Sequence, residues 1–182
     1  MAPYAVWGGA FQGPEQGSES RCPKGMEGHE YVREFRRRVG EMNRTLAIVK
    51  PDALASGKAG KILAHLEEAG FQLRALKMTR LSEGQAGRFY EVHRERPFFA
   101  SLVAFMTSGP CLPMILESQD AVPRLRETIG ATDPAEAAPG TVRALYAENK
   151  ERNAIHASDS EENALREIAF FFSEEEVLGV AP

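Results

Sequence analysis

The sequence has 182 residues, enough for one domain of ordinary size, and its 43% apolar and 26% charged residues are typical of a folded soluble protein. The formal net charge of -4 gives no basic footprint for nucleic acid, and no apolar run reaches the ~18 residues that read as a membrane span. Cys22 and Cys111 have neither metal-ligand nor disulfide spacing, which favours a reducing, cytoplasmic location.

Residues 1 to 42 form the first segment, and they offer little to pack. They hold seven glycines and three prolines, six basic and six acidic side chains, and no sustained apolar period. They also lack the apolar core of a targeting peptide. We predict a disordered or non-native extension, such as one from a misplaced start codon upstream of Met42, followed by one domain over residues 43 to 182. That domain holds sixteen basic and twenty acidic side chains, so a phosphate site must be a local cluster of cations.

The domain opens with a predicted alternation of strands and helices. RTLAIVK predicts a buried strand that ends at Lys50, because Pro51 cannot donate to a sheet. GKILAHLEEAG has apolar residues at helical spacing and a glycine where a C-terminal cap would lie. FQLRALKMTRL alternates loosely enough to predict a second strand.

A helical hairpin and a third strand are predicted next. Ser82 and Gln85 resemble a capping box, which would open a helix that reaches His93. Pro97 suits the first turn of a second helix, RPFFASLVAFM. GPCLPMILES is predicted as a strand, and DAVPRLRETIG as a helix closed by Gly130.

The remainder of the chain predicts a long loop, a short strand and a last helix. The stretch between Gly130 and Ala154 has no convincing period, and we interpret it as a binding loop. NAIHAS predicts the fourth strand and EENALREIAFFF the final helix. On the helical wheel Glu167 lies beside the apolar stripe, so periodicity predicts that it faces solvent. The stripe consists of Ala164, Leu165, Ile168, Ala169 and Phe172.

Five blocks of this sequence, in order, resemble the nucleoside diphosphate kinase family, in particular its bacterial members. They are RTLAIVKPDAL, FYEVHRERPFF, LVAFMTSGP, GATDPAEAAPGTVR and RNAIHASDS, and the resemblance covers residues 43 to 178. It implies an α+β fold with a ferredoxin-like βαββαβ core, in which helices pack on a four-stranded antiparallel sheet. It also implies transfer of the terminal phosphoryl group of a nucleoside triphosphate, usually ATP, to a nucleoside diphosphate by a ping-pong mechanism.

By this resemblance His156 is the nucleophile that carries the phosphoryl group. Imidazole suits the role because its ordinary pKa of about 6.5 leaves a neutral nitrogen available near pH 7. The alternative is a histidine satisfied at a strand end, in a catalytically quiet nucleotide-binding or protein-interaction module.

Phosphoryl transfer needs cations and hydrogen-bond donors around the transferred group. The residues that resemble the family's phosphate and sugar ligands are Lys50, Arg126, Thr132, Arg143 and Asn153. Phe98 would stack on the base and Leu102 would close the same slot. Since every base has a face on which to stack, this predicts little preference among nucleotides.

The resemblance also implies roles for four residues near the histidine. Tyr90 would place its hydroxyl close to the imidazole, while Glu167 would orient the ring with help from Ser158. Asp159 would hold Mg²⁺ through water, without a dedicated protein cage. The implied partners are ATP and other nucleoside tri- and diphosphates, together with further copies of the chain, four favoured and six possible. A membrane or a specific nucleic acid is not expected as a partner.

Three positions depart from the family pattern. Ala157 follows the histidine where many members have glycine, so the backbone there must accept a Cβ. VRALY lacks the acidic residue of the usual arginine-glycine-aspartate-aromatic pattern. Glu151 occupies a frequent glycine position near the base. Other phosphate-binding devices are not supported, because neither a P-loop nor a dinucleotide-binding glycine motif is present in the sequence.

Overall fold

The computed structural model describes residues 43 to 178. The predicted N-terminal extension lies outside these residues. Within the described range, no helix is both long and apolar enough to cross a membrane.

Four strands of the described chain form one antiparallel sheet in the order β2-β3-β1-β4. The strands are β1 (Arg44–Val49), β2 (Gln72–Leu76), β3 (Leu112–Glu117) and β4 (Ile155–Ala157). The helices between 43 and 178 are α1 (Pro51–Ala55), α2 (Ala59–Glu68), α3 (Glu83–Phe89), α4 (Phe99–Thr107), α5 (Ala121–Ile129), α6 (Val142–Tyr146), α7 (Glu161–Phe171) and α8 (Glu174–Leu178), with a 3-10 turn at Glu91–His93.

This strand order is that of the predicted ferredoxin-like core. Helix α2 connects β1 to β2, and α5 connects β3 to β4, so each crossover skips one strand of the sheet. The α3–α4 hairpin is inserted between β2 and β3, where the simplest version of this fold has a short turn. The fold prediction is therefore confirmed.

Strand β1 is buried on both faces because helices cover each side of the sheet. Ala47 and Val49 belong to one apolar cluster, which includes residues of α2 and α5. Leu46 and Ile48 belong to the other, which includes residues of α3, α4 and α7. The continuous apolar run that predicted a buried strand reflects this two-sided burial.

The structure differs from the predicted elements near β1 and β2. Strand β1 ends at Val49 rather than Lys50, because Pro51 is the first residue of the unpredicted helix α1. Strand β2 ends at Leu76, well before the predicted limit, and its register shifts between Leu73 and Ala75. The predicted alternation there is wrong, since Leu73 is exposed along with Met78.

Later elements also differ in their bounds. The capping box at Ser82 is confirmed, but its helix stops at Phe89 and a 3-10 turn continues to His93. The predicted loop between Gly130 and Ala154 contains the short helix α6. Helix α8 was not predicted either. Each missed helix has five residues, too few to display a helical period.

Candidate active site

His156 lies in the middle of β4, opposite Ile48 of β1. Its strand neighbours Ile155 and Ala157 are buried in one apolar cluster, so the imidazole points to the other face of the sheet. There it meets the Phe89 ring edge-on, with 5.4 Å between the ring centroids. The side chain is 19% exposed, so packing holds the ring while solvent still reaches it.

A buried carboxylate orients the imidazole. Glu167 Oε2 lies 2.9 Å from His156 Nε2 and accepts a second hydrogen bond from Ser158 Oγ at 2.6 Å. Burial opposes ionisation, but the imidazole and the Ser158 hydroxyl outweigh it and lower the pKa of Glu167. The carboxylate is thus held charged against one ring nitrogen.

The solvent-facing position predicted for Glu167 from periodicity is wrong. Its side chain is 6% exposed, and it belongs to the buried face of α7. The buried residues of α7 are Ala164, Glu167, Ile168 and Phe171. Hydrogen bonds from β4 and the residue after it satisfy the charge and allow it to lie inside.

Tyr90 packs beside the imidazole, with 6.0 Å between the two ring centroids. It is the C-cap residue of α3. Its hydroxyl is buried and has no hydrogen-bond partner among the described residues. Burial, together with the nearby Glu167 charge, raises the pKa of Tyr90, so the hydroxyl keeps its proton and can donate.

Lys50 follows β1 directly, and its side chain is buried. Its Nζ donates to Asn153 Oδ1 at 2.6 Å and lies 5.8 Å from the centre of the Phe105 ring on α4. Burial and the Arg143 charge lower the pKa of Lys50 to about 8. The ammonium is therefore close to its titration point in mildly alkaline solution.

Arg143 lies on α6 and is buried against β4 and the end of α5. Its Nη1 donates to Gly130 O at 2.8 Å, and its Nη2 donates to Ile155 O at 3.0 Å. Burial and the nearby Arg126 charge lower the pKa of Arg143 to about 10, so the guanidinium remains charged near neutral pH.

The two arginines of α5 have different surroundings. Arg124 donates to Ala69 O and to Ser118 Oγ, and it lies over the Phe71 ring, so it joins α5 to the end of α2. Arg126 is exposed, and its side chain makes no hydrogen bond within the described range. Its charge nevertheless acts on Arg143 and Asp159. The structure thus leaves Arg126, and not Arg124, available to a ligand.

Asn153 joins the two ends of the predicted binding loop. Its Nδ2 donates to Thr132 O at 3.3 Å and to Lys150 O at 3.1 Å, while its Oδ1 receives the Lys50 ammonium. Asn153 is buried, whereas Thr132 is exposed. The loop is therefore anchored to the end of β1 and not freely hinged.

Asp159 lies at the surface after β4, two residues before α7. Its Oδ1 accepts a hydrogen bond from Asn163 Nδ2 at 2.6 Å. That hydrogen bond and the Arg126 charge outweigh partial burial and lower the pKa of Asp159, so the carboxylate is charged at neutral pH. The described residues contain no group of three or more histidine, cysteine or acidic side chains that would form a metal cage.

Phe98 is the N-cap residue of α4, and it is more exposed than Phe99, the first residue of that helix. It is 49% exposed, while Phe99 is only partly exposed and packs on the core. Leu102 lies one helical turn further along, with its N–H donating to Phe98 O at 2.9 Å. The His93 ring stands 5.6 Å from that of Phe98, between centroids.

Sequence reasoning missed Asp52, a buried acid on α1. Its Oδ2 accepts the Ala154 N–H at 3.0 Å, two residues before the histidine. The sequence carries no signal for it, because the helix that holds it was not predicted. Ala157, which replaces a frequent glycine, occupies a regular strand position opposite Ala47 without positive φ, so its Cβ is accommodated.

The predicted site residues thus fall into connected groups. The first surrounds the imidazole and contains Tyr90, His156, Ser158 and Glu167. The second group contains Lys50, Asn153 and Arg143. Lys50 donates to Asn153, and Arg143 donates to the carbonyl oxygen of Ile155, two residues further along the chain. The helix that carries Leu102 and follows Phe98 reaches Lys50 through Phe105, and Leu102 packs against the apolar cluster that includes Tyr90.

The sequence profile described as nucleoside diphosphate kinase matches residues 41–177. The chain belongs to the nucleoside diphosphate kinase family. It is accordingly an enzyme that transfers a phosphoryl group between nucleoside tri- and diphosphates.

Individual members of the family agree with this assignment. The nucleoside diphosphate kinase of Nitratiruptor sp. is 56% identical over 137 residues, which are 75% of this chain and 100% of that protein. A solved Aquifex aeolicus nucleoside diphosphate kinase is 55% identical with a TM-score of 0.72, over 74% of this chain and 97% of its own. The Halobacterium salinarum enzyme, solved in complex with CDP, is 42% identical with a TM-score of 0.70, over 73% of this chain and 89% of its own.

Proposed function

We propose that His156 carries the phosphoryl group between the two nucleotides as a phosphohistidine. Nδ1 attacks the γ-phosphorus, the new P–N bond forms, and the bond to the β–γ bridging oxygen breaks, so that a nucleoside diphosphate leaves. A terminal oxygen of a second diphosphate then attacks the same phosphorus and restores the imidazole. This is a ping-pong sequence, because the first product leaves before the second substrate binds.

The hydrogen bond between His156 Nε2 and Glu167 Oε2 carries this proposal. A carboxylate accepts the Nε2–H and so selects the tautomer whose Nδ1 lone pair is free to attack. Ser158 holds the carboxylate in place by donating to the same oxygen at 2.6 Å. No proton has to be removed before the P–N bond forms.

Lys50, Arg126 and Arg143 are proposed to stabilise the charge on the transferred group. Loose phosphoryl transfer leaves the protein mainly positioning and electrostatics to supply, and guanidinium groups can hold two phosphate oxygens at once. The unpaired Tyr90 hydroxyl supplies a further donor beside the imidazole. Thr132 would add a hydroxyl contact to phosphate, and Asn153 would reach the sugar.

The base is proposed to stack on Phe98, with Leu102 closing the slot. Phe98 is 49% exposed, so its side chain is accessible for this contact. The Halobacterium salinarum relative was solved in complex with CDP, which supports a nucleotide site in this chain. A stacked base is held without hydrogen-bond readout, so purine and pyrimidine nucleotides are expected as substrates.

Mg²⁺ is the proposed cofactor, and Asp159 is the proposed residue that holds it through water. The donor set fits, because Asp159 is charged and exposed while the described residues form no multi-acid cage. Mg²⁺ usually keeps several waters and is bound through one or two carboxylates and substrate phosphates. When bound, the ion would neutralise charge on the nucleotide's phosphates.

Labelling with γ-³²P-ATP tests the covalent carrier. The full chain should acquire an acid-labile label in the absence of acceptor and lose it when GDP is added. His156→Ala should acquire none, whereas Glu68→Gln, a change on the exposed face of α2, should label as the parent does. Normal turnover by His156→Ala would rule the mechanism out, and nucleotide binding without label would favour a quiet binding module.

The assembly and the location are proposed on the family's general properties. We propose a tetramer, with a hexamer as the alternative, in the cytoplasm, and a functional domain that begins near residue 43. Light scattering of the full chain distinguishes four subunits from six. A chain that starts at Met42 should match the full chain in label and turnover if the first residues are dispensable.

A further inference from the structure

One buried carboxylate lies outside the proposed machinery. Asp52 is the second residue of α1 and is 7% exposed. Its Oδ2 accepts the Ala154 N–H at 3.0 Å, and its Oδ1 has no hydrogen-bond partner among the residues described. A carboxylate that is buried with one oxygen unpaired is destabilising in itself, so a benefit elsewhere must offset it.

The turn that Asp52 contacts is strained. Ala154 has φ +68°, in the left-handed region that residues with a Cβ rarely adopt. Its N–H is held by Asp52, and its carbonyl oxygen accepts the Lys50 backbone N–H at 2.9 Å. Both polar groups of the strained residue are therefore fastened to the segment that joins β1 to α1.

A proposed site residue lies on each side of this turn. Asn153 precedes it, and its Oδ1 accepts a hydrogen bond from the Lys50 ammonium at 2.6 Å. His156 follows two residues later on β4. If Ala154 relaxed to an ordinary conformation, the backbone between Asn153 and His156 would change direction, and the ammonium would move relative to the imidazole.

We propose that Asp52 is a positioning residue for phosphoryl transfer, which holds the Ala154 turn in its left-handed conformation and so fixes Lys50 and Asn153 relative to His156. The inference rests on the proposed role of His156. Asp52 makes and breaks no bond in the reaction.

The carboxylate has a second effect, through its charge. Burial and the Arg143 charge lower the pKa of Lys50, while the charges of Asp52 and Glu151 oppose that change. Removing the Asp52 charge should therefore make Lys50 lose its proton at a lower pH. A residue that only stabilised the fold would not move this pH dependence.

The first test distinguishes an effect on the Ala154 turn from an effect on overall stability. It adds a second substitution that allows residue 154 to adopt its left-handed conformation without strain. Asp52→Ala should lower kcat/KM about 30-fold, since small displacements in a reacting site are costly, and should speed hydrogen exchange of the Ala154 N–H. Adding Ala154→Gly should recover about tenfold, because glycine adopts this conformation without a Cβ penalty. Glu68→Gln, the matched loss of an exposed carboxylate, should change neither quantity.

The second test uses Asp52→Asn, which keeps an acceptor oxygen and removes the charge. The alkaline limb of its kcat/KM profile should shift to lower pH by about half a unit or more, as expected when an opposite charge near a lysine is removed. If Asp52→Ala does not fold, this shift and the exchange of the Ala154 N–H decide the matter.

The proposal is overturned if Asp52→Ala keeps kcat/KM within twofold of the parent, if Ala154→Gly gives no recovery, or if the Asp52→Asn profile does not move. Failure of the proposed function looks different, because then the parent itself acquires no label on His156. The label on the parent is therefore measured first in every series.

Discussion

The titration of Lys50 connects burial to activity at the scale of one residue. With its pKa lowered to about 8 by burial and the Arg143 charge, the free protein should hold the ammonium charged at pH 7 and mostly neutral at pH 9. A neutral amine gives up a charge-assisted contact to phosphate of about 1.5–3 kcal/mol. We therefore expect kcat/KM for ATP to fall by about 10- to 100-fold as pH rises through 8.

Steady-state rates between pH 6.5 and 10 measure this alkaline decline in kcat/KM. Lys50→Arg should be less active but should show no decline near pH 8, because a guanidinium keeps its proton at that pH. A flat parent profile, or a decline in Lys50→Arg at the same pH as in the parent, would show that another group governs the limb.

The resemblance named residues that lie together around His156 in the structure, whereas periodicity misplaced Glu167. The helical wheel predicts a solvent-facing Glu167 because it uses only the positions of apolar side chains. It contains no information on the hydrogen bonds by which Ser158 and His156 satisfy the carboxylate. Asp52 gave no pattern at all. Its proposed role depends on the φ of Ala154, a residue far along the chain, and a single sequence does not display that conformation.

Helix α5 offers a matched comparison at the scale of one element. Arg124→Ala removes the hydrogen bonds to Ala69 and Ser118 and should cost about 1 kcal/mol of unfolding free energy, or several degrees in Tm. Arg126→Ala should leave Tm nearly unchanged and raise KM for nucleotides about tenfold, the cost of one charge-assisted contact.

Thermal unfolding and steady-state kinetics on the two variants give the comparison. Because both substitutions remove an arginine from the same helix, net charge and helix propensity change equally. Reversed effects, with Arg126→Ala unstable and Arg124→Ala poor in KM, would contradict the assignment of Arg126 as the ligand-facing residue.

Elements were predictable where they were long and covered on a regular face. Strands β1 and β3 are predictable as continuous apolar runs because they are buried on both faces, and helices α2 and α5 are predictable from the helical period of their apolar residues. Pro51 was interpreted only as the end of a strand, although it also occupies the first position of α1. Strand β2 alternates poorly because part of its apolar surface is exposed.

A cluster of charges ties together the ends of the described chain at the scale of the whole molecule. Arg44 on β1 donates to Glu117 of β3 at 2.7 Å and to Val177 O of α8 at 2.6 Å. Arg74 on β2 donates to the same carboxylate at 2.8 Å. Glu117 thus accepts hydrogen bonds from both neighbouring strands, and Arg44 extends the cluster to α8.

The pH dependence of stability tests this cluster. Partial burial of Glu117 opposes ionisation, but hydrogen bonds from Arg74 and Arg44 outweigh it and lower the pKa of Glu117. Since the folded pKa is lowered, the stabilisation is present above the ordinary carboxylate value and is lost as pH falls. Glu117→Gln should lower unfolding free energy by about 1–3 kcal/mol at pH 7, and by much less near pH 3.

Denaturant unfolding of the parent, Glu117→Gln and Glu68→Gln between pH 3 and 7 gives this difference. The Glu68 variant should follow the parent at every pH, because that side chain is exposed and outside the cluster. If Glu117→Gln lowered the unfolding free energy equally across this pH range, the stabilisation would depend on the shape of the side chain and not on its charge.

Phe98 is half exposed, whereas Lys50 and Arg143 are buried. In the proposed function, a base stacked on that ring keeps its hydrogen-bonding edge in solvent, where the protein does not contact it. The net direction of phosphoryl transfer would then be set by the concentrations of the surrounding nucleotides. Such a catalyst draws every triphosphate-to-diphosphate ratio in its compartment toward a common value, and the supply of the most abundant donor sets that value.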